Sequence, residues 1–321
     1  SELLATYFSV VNNYLPTSNV RMFYKISQES EQIQRVHFSS ICSENMTAQG
    51  SGIDSLRRFI DEEQNKTDNR LKIFNQLDSE RELGILYEAC LNHGHFELLS
   101  SFNDDDSSES LRETKAKLLE EYFWQFFESE KNGNSNSPGM VKCSKILKLL
   151  QADSTSKSYA NLEMLLTVSN ELSKYSMALS QNTPFSPRYL LDFKEDPFKI
   201  IDLILERNPE LHRSIDTTSK LLERIFVALD KLAPPLENSD SKECARLIAI
   251  HINHSLANFD FQFALQKSRE LVKKGQTAGE FWESVFQVGK FKDPNWVDNE
   301  TPTEILFAQM SLLSQLLEVC P

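Results

Sequence analysis

Apolar side chains recur at steps of three and four residues along almost the whole of this 321-residue chain, and that spacing admits little besides helices. Leu3-Leu4, Tyr7-Phe8 and Val11 open the pattern. Ile53, Leu56, Phe59 and Ile60 continue it, followed by Leu83, Leu86, Ala89 and Cys90. Alternation of period two, the mark of a half-buried strand, is hard to find. With only 9 Gly and 11 Pro there is also little material for the tight turns of hairpins and barrels. The expected fold is all-α, an α-solenoid of stacked antiparallel helix pairs.

Composition sets the boundaries. Polar stretches at about 28–52 and 103–108 read as loops, and 131–139, rich in Asn, Ser and Gly, reads as a flexible loop. This divides the chain into helical repeats over 1–130 and C-terminal helical repeats over 140–321. One long helix is expected over Leu111 to Phe127. Pro184, Pro187, Pro209 and Pro234-Pro235 punctuate the rest at ordinary helix lengths. Three helix starts carry capping signals: Thr301-Pro302-Thr303-Glu304, Asp240-Ser241-Lys242-Glu243 with Asp240 as cap, and Asp196-Pro197 ahead of Ile200. An internal echo also stands out. Ala89 to Leu99 and Ser255 to Leu265 both read as helix, tight corner, helix, with small residues before the corner and an aromatic after it to fill the wedge.

The formal charge of -13 disfavours a nucleic-acid binder and direct docking on anionic lipid. No run approaches the apolar length of a membrane span, and Ser1-Glu2-Leu3-Leu4 lacks the basic flank of a signal peptide. Membrane association is therefore expected through partners only. The missing initiator Met is what a processed or excised fragment shows. Cys42, Cys90, Cys143, Cys244 and Cys320 are scattered and form no C-x-x-C pair, as suits the reducing cytosol. Of the four Asn-x-Ser/Thr patterns, the one at Asn253 falls inside an expected helix, so all four read as chance.

Catalytic and metal signals are thin. His93-Gly94-His95 and the pair His251 and His254 lack a third ligand at zinc-site spacing, and read as corner and helix-surface residues. Ser154 with Lys157 and Thr217 with Lys220 match a bare Ser/Thr-x-x-Lys string and read as helix-start residues. Asp104-Asp105-Asp106 lacks the Gly and Glu of a calcium loop; Ser107, Ser108 and Ser110 beside it are candidate phosphorylation sites. No catalytic, cofactor-binding or metal residues, and no small-molecule substrate, are expected. The densest unusual feature is Tyr122-Phe123-Trp124-Gln125-Phe126-Phe127. Consecutive residues lie about 100° apart on a helix, so these rings cannot share one stripe. Tyr122, Phe123, Trp124, Phe126 and Phe127 are thus the expected partner-binding anchor, set against a helix sandwiched between neighbours.

From about Tyr189 onward the sequence resembles a known family. The phrase Asp196-Pro197-Phe198-Lys199-Ile200-Ile201-Asp202-Leu203-Ile204-Leu205-Glu206-Arg207-Asn208-Pro209, the corner Asn258 to Ala264, Phe281 to Lys290 and Leu312 to Pro321 occur in a similar order in Sec-type α-solenoid subunits of the yeast Dsl tethering complex. The animal counterpart is the neuroblastoma-amplified sequence protein. The resemblance implies a non-catalytic scaffold on the endoplasmic reticulum that captures Golgi-derived vesicles and bridges a central tether subunit and a SNARE N-terminal region. Other helical scaffolds, of vesicle-coat, nuclear-pore or proteasome-lid type, share every feature read from the residues. An all-α enzyme is the more distant alternative.

Overall fold

The computed structural model describes residues 2–15, 18–47, 51–66, 68–101, 109–152, 159–177, 185–236, 241–275, 279–296 and 302–319. These form sixteen α-helices and two short 3-10 segments, and among the described residues there is no strand. The helices are α1 (Glu2–Asn13), α2 (Val20–Ser27), α3 (Glu31–Thr47), α4 (Ser51–Gln64), α5 (Ser79–His93), α6 (Phe96–Ser101), α7 (Glu109–Ser129) and α8 (Pro138–Ala152). They continue with α9 (Tyr159–Leu172), α10 (Arg188–Asp192), α11 (Phe198–Arg207), α12 (Ile215–Ala228), α13 (Lys242–Ala257), α14 (Phe261–Val272), α15 (Trp282–Gly289) and α16 (Thr303–Val319). The all-α expectation of stacked helix pairs holds. The chain forms two compact units, one of residues 1–125 and 145–156, the other of 126–144 and 157–321.

In the first unit α3 packs along α5, and Phe74 stands edge-on to Phe38 with ring centroids 4.9 Å apart. The loop expected at 28–52 is therefore largely a helix. Periodicity hid α3 because its inward face mixes Phe38, Ile41, Cys42 and Met46 with a buried Gln34, while Ile33 and Val36 point to solvent. Gln34 belongs inside because its amide is fully used. Its Nε2 donates to Ile26 O at 3.0 Å and Asn75 Oδ1 at 3.0 Å, and its Oε1 accepts from Gln76 N at 3.1 Å. α5 starts where Asp78 accepts from Arg81 N at 2.8 Å and stops at Gly94, whose φ of 79° closes a left-handed cap. Phe96 then tucks into the core, as the echo requires.

In the second unit the stretch expected as a flexible loop, 131–139, is held along its length. Gly133 N donates to Phe185 O at 2.8 Å, Ser135 N to Asn170 Oδ1 at 2.9 Å, and Gly139 N to Glu130 Oε2 at 2.5 Å. A Cβ at Gly133 would stand 2.7 Å from Ser169 O, which explains the glycine. α13 and α14 make the second echo: Asp260 accepts from Phe263 N at 3.4 Å to cap α14, and Phe261 fills the wedge while Phe259, at φ 58°, stays exposed. Two capping expectations shift. Ser241, rather than Asp240, caps α13 by accepting from Cys244 N at 3.1 Å. Asp196 makes no cap; its Oδ2 accepts from Arg246 Nη2 at 2.7 Å, and that guanidinium lies 4.4 Å above the Phe198 ring. Asp240, Thr301, Asp104 to Ser108, Ser154 to Lys157 and Cys320 lie outside the described residues.

Candidate functional site

Helix α7 runs past its expected ends, and it turns most of its aromatic run inward. Phe123 and Phe127 are fully buried and Tyr122 is 8% exposed, its hydroxyl donating to Asn92 Oδ1 at 3.0 Å. Trp124, edge-on to Phe123 at 5.7 Å, and Phe126, with Lys142 Nζ 4.6 Å from its ring centre, are half-buried. Burial withdraws Tyr122, Phe123 and Phe127 from the anchor role: with Leu119 they stand at steps of three and four, on one covered face of α7.

The histidines do not converge on a metal. His95 Nε2 donates to Met46 O at 2.9 Å and His254 Nε2 pairs with Asp202 Oδ1 at 2.8 Å, holding that carboxyl below its usual range. His251 is no surface residue: it is fully buried. Its Nδ1 donates to His212 O at 2.7 Å and Thr218 Oγ1 donates to its Nε2 at 2.7 Å, the only tautomer that suits a carbonyl acceptor on a neutral ring. Burial pushes its pKa down to about 4. The pair Thr217 and Lys220 lies within the first turns of α12. Among the described residues no three His, Cys, Asp or Glu side chains form a metal-binding group. Cys42, Cys90 and Cys143 are buried, and burial raises their thiols, Cys90 and Cys143 to about 12. Such thiols stay protonated and are poor nucleophiles.

A different surface is open. α16 buries Leu312 and Leu316 and sets Ile305, Ala308, Leu313 and Val319 against the same core of α13, α14 and α15. Its buried Gln309 donates from Nε2 to Val288 O at 3.0 Å and Phe291 O at 2.8 Å, tying α16 to the end of α15, where Val288 O also accepts from Phe291 N at 3.3 Å. Gly289 lets the two helices close, since a Cβ there would collide with the Leu313 side chain. Beneath them Phe261 and Phe291 stack at 6.1 Å with Trp296 edge-on to both. On its other side α16 exposes Leu306 by 45%, Phe307 by 68%, Met310 by 63% and Leu317 by 77%. Leu306, Met310 and Leu317 recur at steps of four and seven, which align on one helix face. α15 adds exposed Trp282 and Phe286, one turn apart with ring centroids 6.0 Å apart. Exposed apolar side chains grouped along a helix in this way are candidates for contact with another macromolecule.

No signal in the single sequence separates the outer row of α16 from its inner one, since both are apolar at helical spacing. A family model described as secretory pathway protein Sec39 matches residues 2–321, so the likeness seen from Tyr189 onward extends through the earlier part of the chain as well.

Proposed function

The chain belongs to the Sec39 family of secretory pathway proteins, and on that premise we propose that it is a non-catalytic scaffold subunit of a vesicle-tethering complex at the endoplasmic reticulum. In this reading it binds a central tether subunit, a SNARE N-terminal region, or both, in Golgi-to-ER retrograde transport. It takes no cofactor, metal, nucleic acid or small-molecule substrate, and meets the membrane from the cytoplasm through its partners. Among the described residues no helix is long and apolar enough to cross a bilayer.

The observation that carries the reading is the outer face of α16. A helical partner laid along it would bury Leu306, Phe307, Met310 and Leu317, each contributing about 1.5–3 kcal/mol before the cost of association. The test is titration calorimetry of the purified chain with the purified central tether subunit and, separately, the SNARE N-terminal region. Saturable binding to either is the expected result; a folded, monodisperse chain that binds neither contradicts the proposal.

A further inference from the structure

Helix α14 turns a row of donor side chains to solvent. Gln262, Gln266, Arg269 and Lys273 follow at steps of four, three and four, and all are exposed. Over those steps the row runs roughly 16 Å along the helix axis. With Arg213, whose side chain is 66% exposed, they line a groove of about 510 Å³ with Phe263 at its wall.

The carboxylates near this groove are already engaged. Glu270 Oε2 accepts from Lys267 Nζ at 2.7 Å. Asp260 Oδ2 accepts from Arg213 Nε at 2.5 Å and His212 Nε2 at 2.8 Å, and its other oxygen caps α14. Although burial pushes the Asp260 carboxyl upward, those hydrogen bonds hold it below its usual range, so it stays ionised and matched to Arg213. Arg269 and Lys273 have no acidic partner among the described residues. On a chain of net charge -13, the groove is a local surplus of positive charge with two primary amides beside it.

From this charge pattern we propose that the groove binds an acidic peptide segment of a partner protein. Its carboxylates pair with Arg269 and Lys273, with the outer nitrogens of Arg213 at one end. The amide of Gln262 carries both a donor and an acceptor, which suits a peptide backbone, and Gln266, whose Nε2 donates to Glu270 Oε1 at 3.3 Å, keeps its oxygen as an acceptor. An extended segment of about five residues spans the row. A lipid surface fits worse, because membrane-binding patches gather about four to eight cations and here two are unpaired on an acidic chain. The proposal goes beyond the scaffold reading and does not depend on which tether the chain serves.

The test uses the full chain and a fluorescent Asp/Glu-rich peptide about twelve residues long, long enough to overhang the row, followed by anisotropy at low and high salt. A peptide with Asn and Gln in place of the acids is the control. Expected are saturable, salt-sensitive binding of the acidic peptide alone and an affinity about tenfold weaker for Arg269→Glu/Lys273→Glu, with unchanged melting. Absence of saturable binding at low salt, or equal affinity for the double variant, overturns the proposal. So does binding of the chain to anionic vesicles that needs Arg269 and Lys273 while the peptide is ignored.

Discussion

The aromatic run of α7 and the outer row of α16 are both dense apolar stretches of a helix, yet one is core and the other is surface. Phe123 and Phe127 show no exposure, whereas Phe307 and Leu317 show most of their area. The difference lies in which residues fall on the covered face. On α7 that face carries Leu119, Tyr122, Phe123 and Phe127, whereas on α16 it carries Leu312 and Leu316 and leaves Phe307 and Leu317 outside. On the proposed reading α7 serves stability and α16 recognition, and substitutions in the two helices should split accordingly.

The largest effect belongs to the buried ring. Phe123→Ala should lower unfolding free energy by about 3–5 kcal/mol in a denaturant titration, through lost burial and a residual cavity. A loss below ~1 kcal/mol would break the contrast, since it would mean that the ring is not packed as core.

Next comes the buried amide that fixes α16. Gln309→Leu fills similar space but removes the side-chain donor of the Phe291 carbonyl and leaves Val288 O with its backbone donors alone. The expected cost is about 2 kcal/mol, read as a lower midpoint with an unchanged denaturant slope.

The two units should also differ in how they answer pH. In the first, Glu82 is buried with neither oxygen hydrogen-bonded; burial, aided by the charge of Glu63, pushes it from 4.5 up to about 7, against the opposing pull of Lys72. Between those values the folded state holds a proton that the unfolded state has lost, so stability falls as pH rises from 4.5 to about 7. Glu82→Gln should therefore stabilise the chain by on the order of 2 kcal/mol at pH 8 and by little near pH 5. In the second unit the depressed His251 works the other way. Its neutral form contributes stability that is present above 6.5 and is lost as pH falls toward about 4. Melting curves across this range, compared with those of Glu82→Gln, separate the two slopes.

The smallest effect on folding is expected on the outer face. Phe307→Ser and Met310→Ser should each shift stability by less than ~0.5 kcal/mol, because those side chains leave water only when a partner arrives. A large loss would show that the row already packs within the chain.

Much of this fold was legible in the residues. The 3.6 period gave the helices, and Gly94 and Asp260 gave the two corners. The family phrase ending in Asn208-Pro209 also has a physical reason. Asn208 Nδ2 donates to Ile204 O at 2.7 Å and Ser176 O at 3.2 Å while its Oδ1 accepts from Ser176 N at 3.0 Å, closing α11 and fastening the 3-10 turn at Pro209. α3 was illegible because a buried Gln34 replaces an apolar residue, and its value as a core group appears only once Asn75 and Gln76 arrive from over forty positions away. The site was the least legible part. Periodicity ranks a helix's faces by apolar content, and on α16 Leu306, Met310 and Leu317 continue the apolar spacing beside the buried row, so only the packing distinguishes Leu312 from Met310.

The most direct test is hydrogen exchange of the chain alone and with the purified tether subunit or SNARE region that binds it. Slowed exchange across 303–319, with 109–129 unchanged, is the predicted result. Protection of 109–129 with 303–319 unaffected would return the aromatic run of α7 to the anchor role and contradict the assignment of recognition to α16.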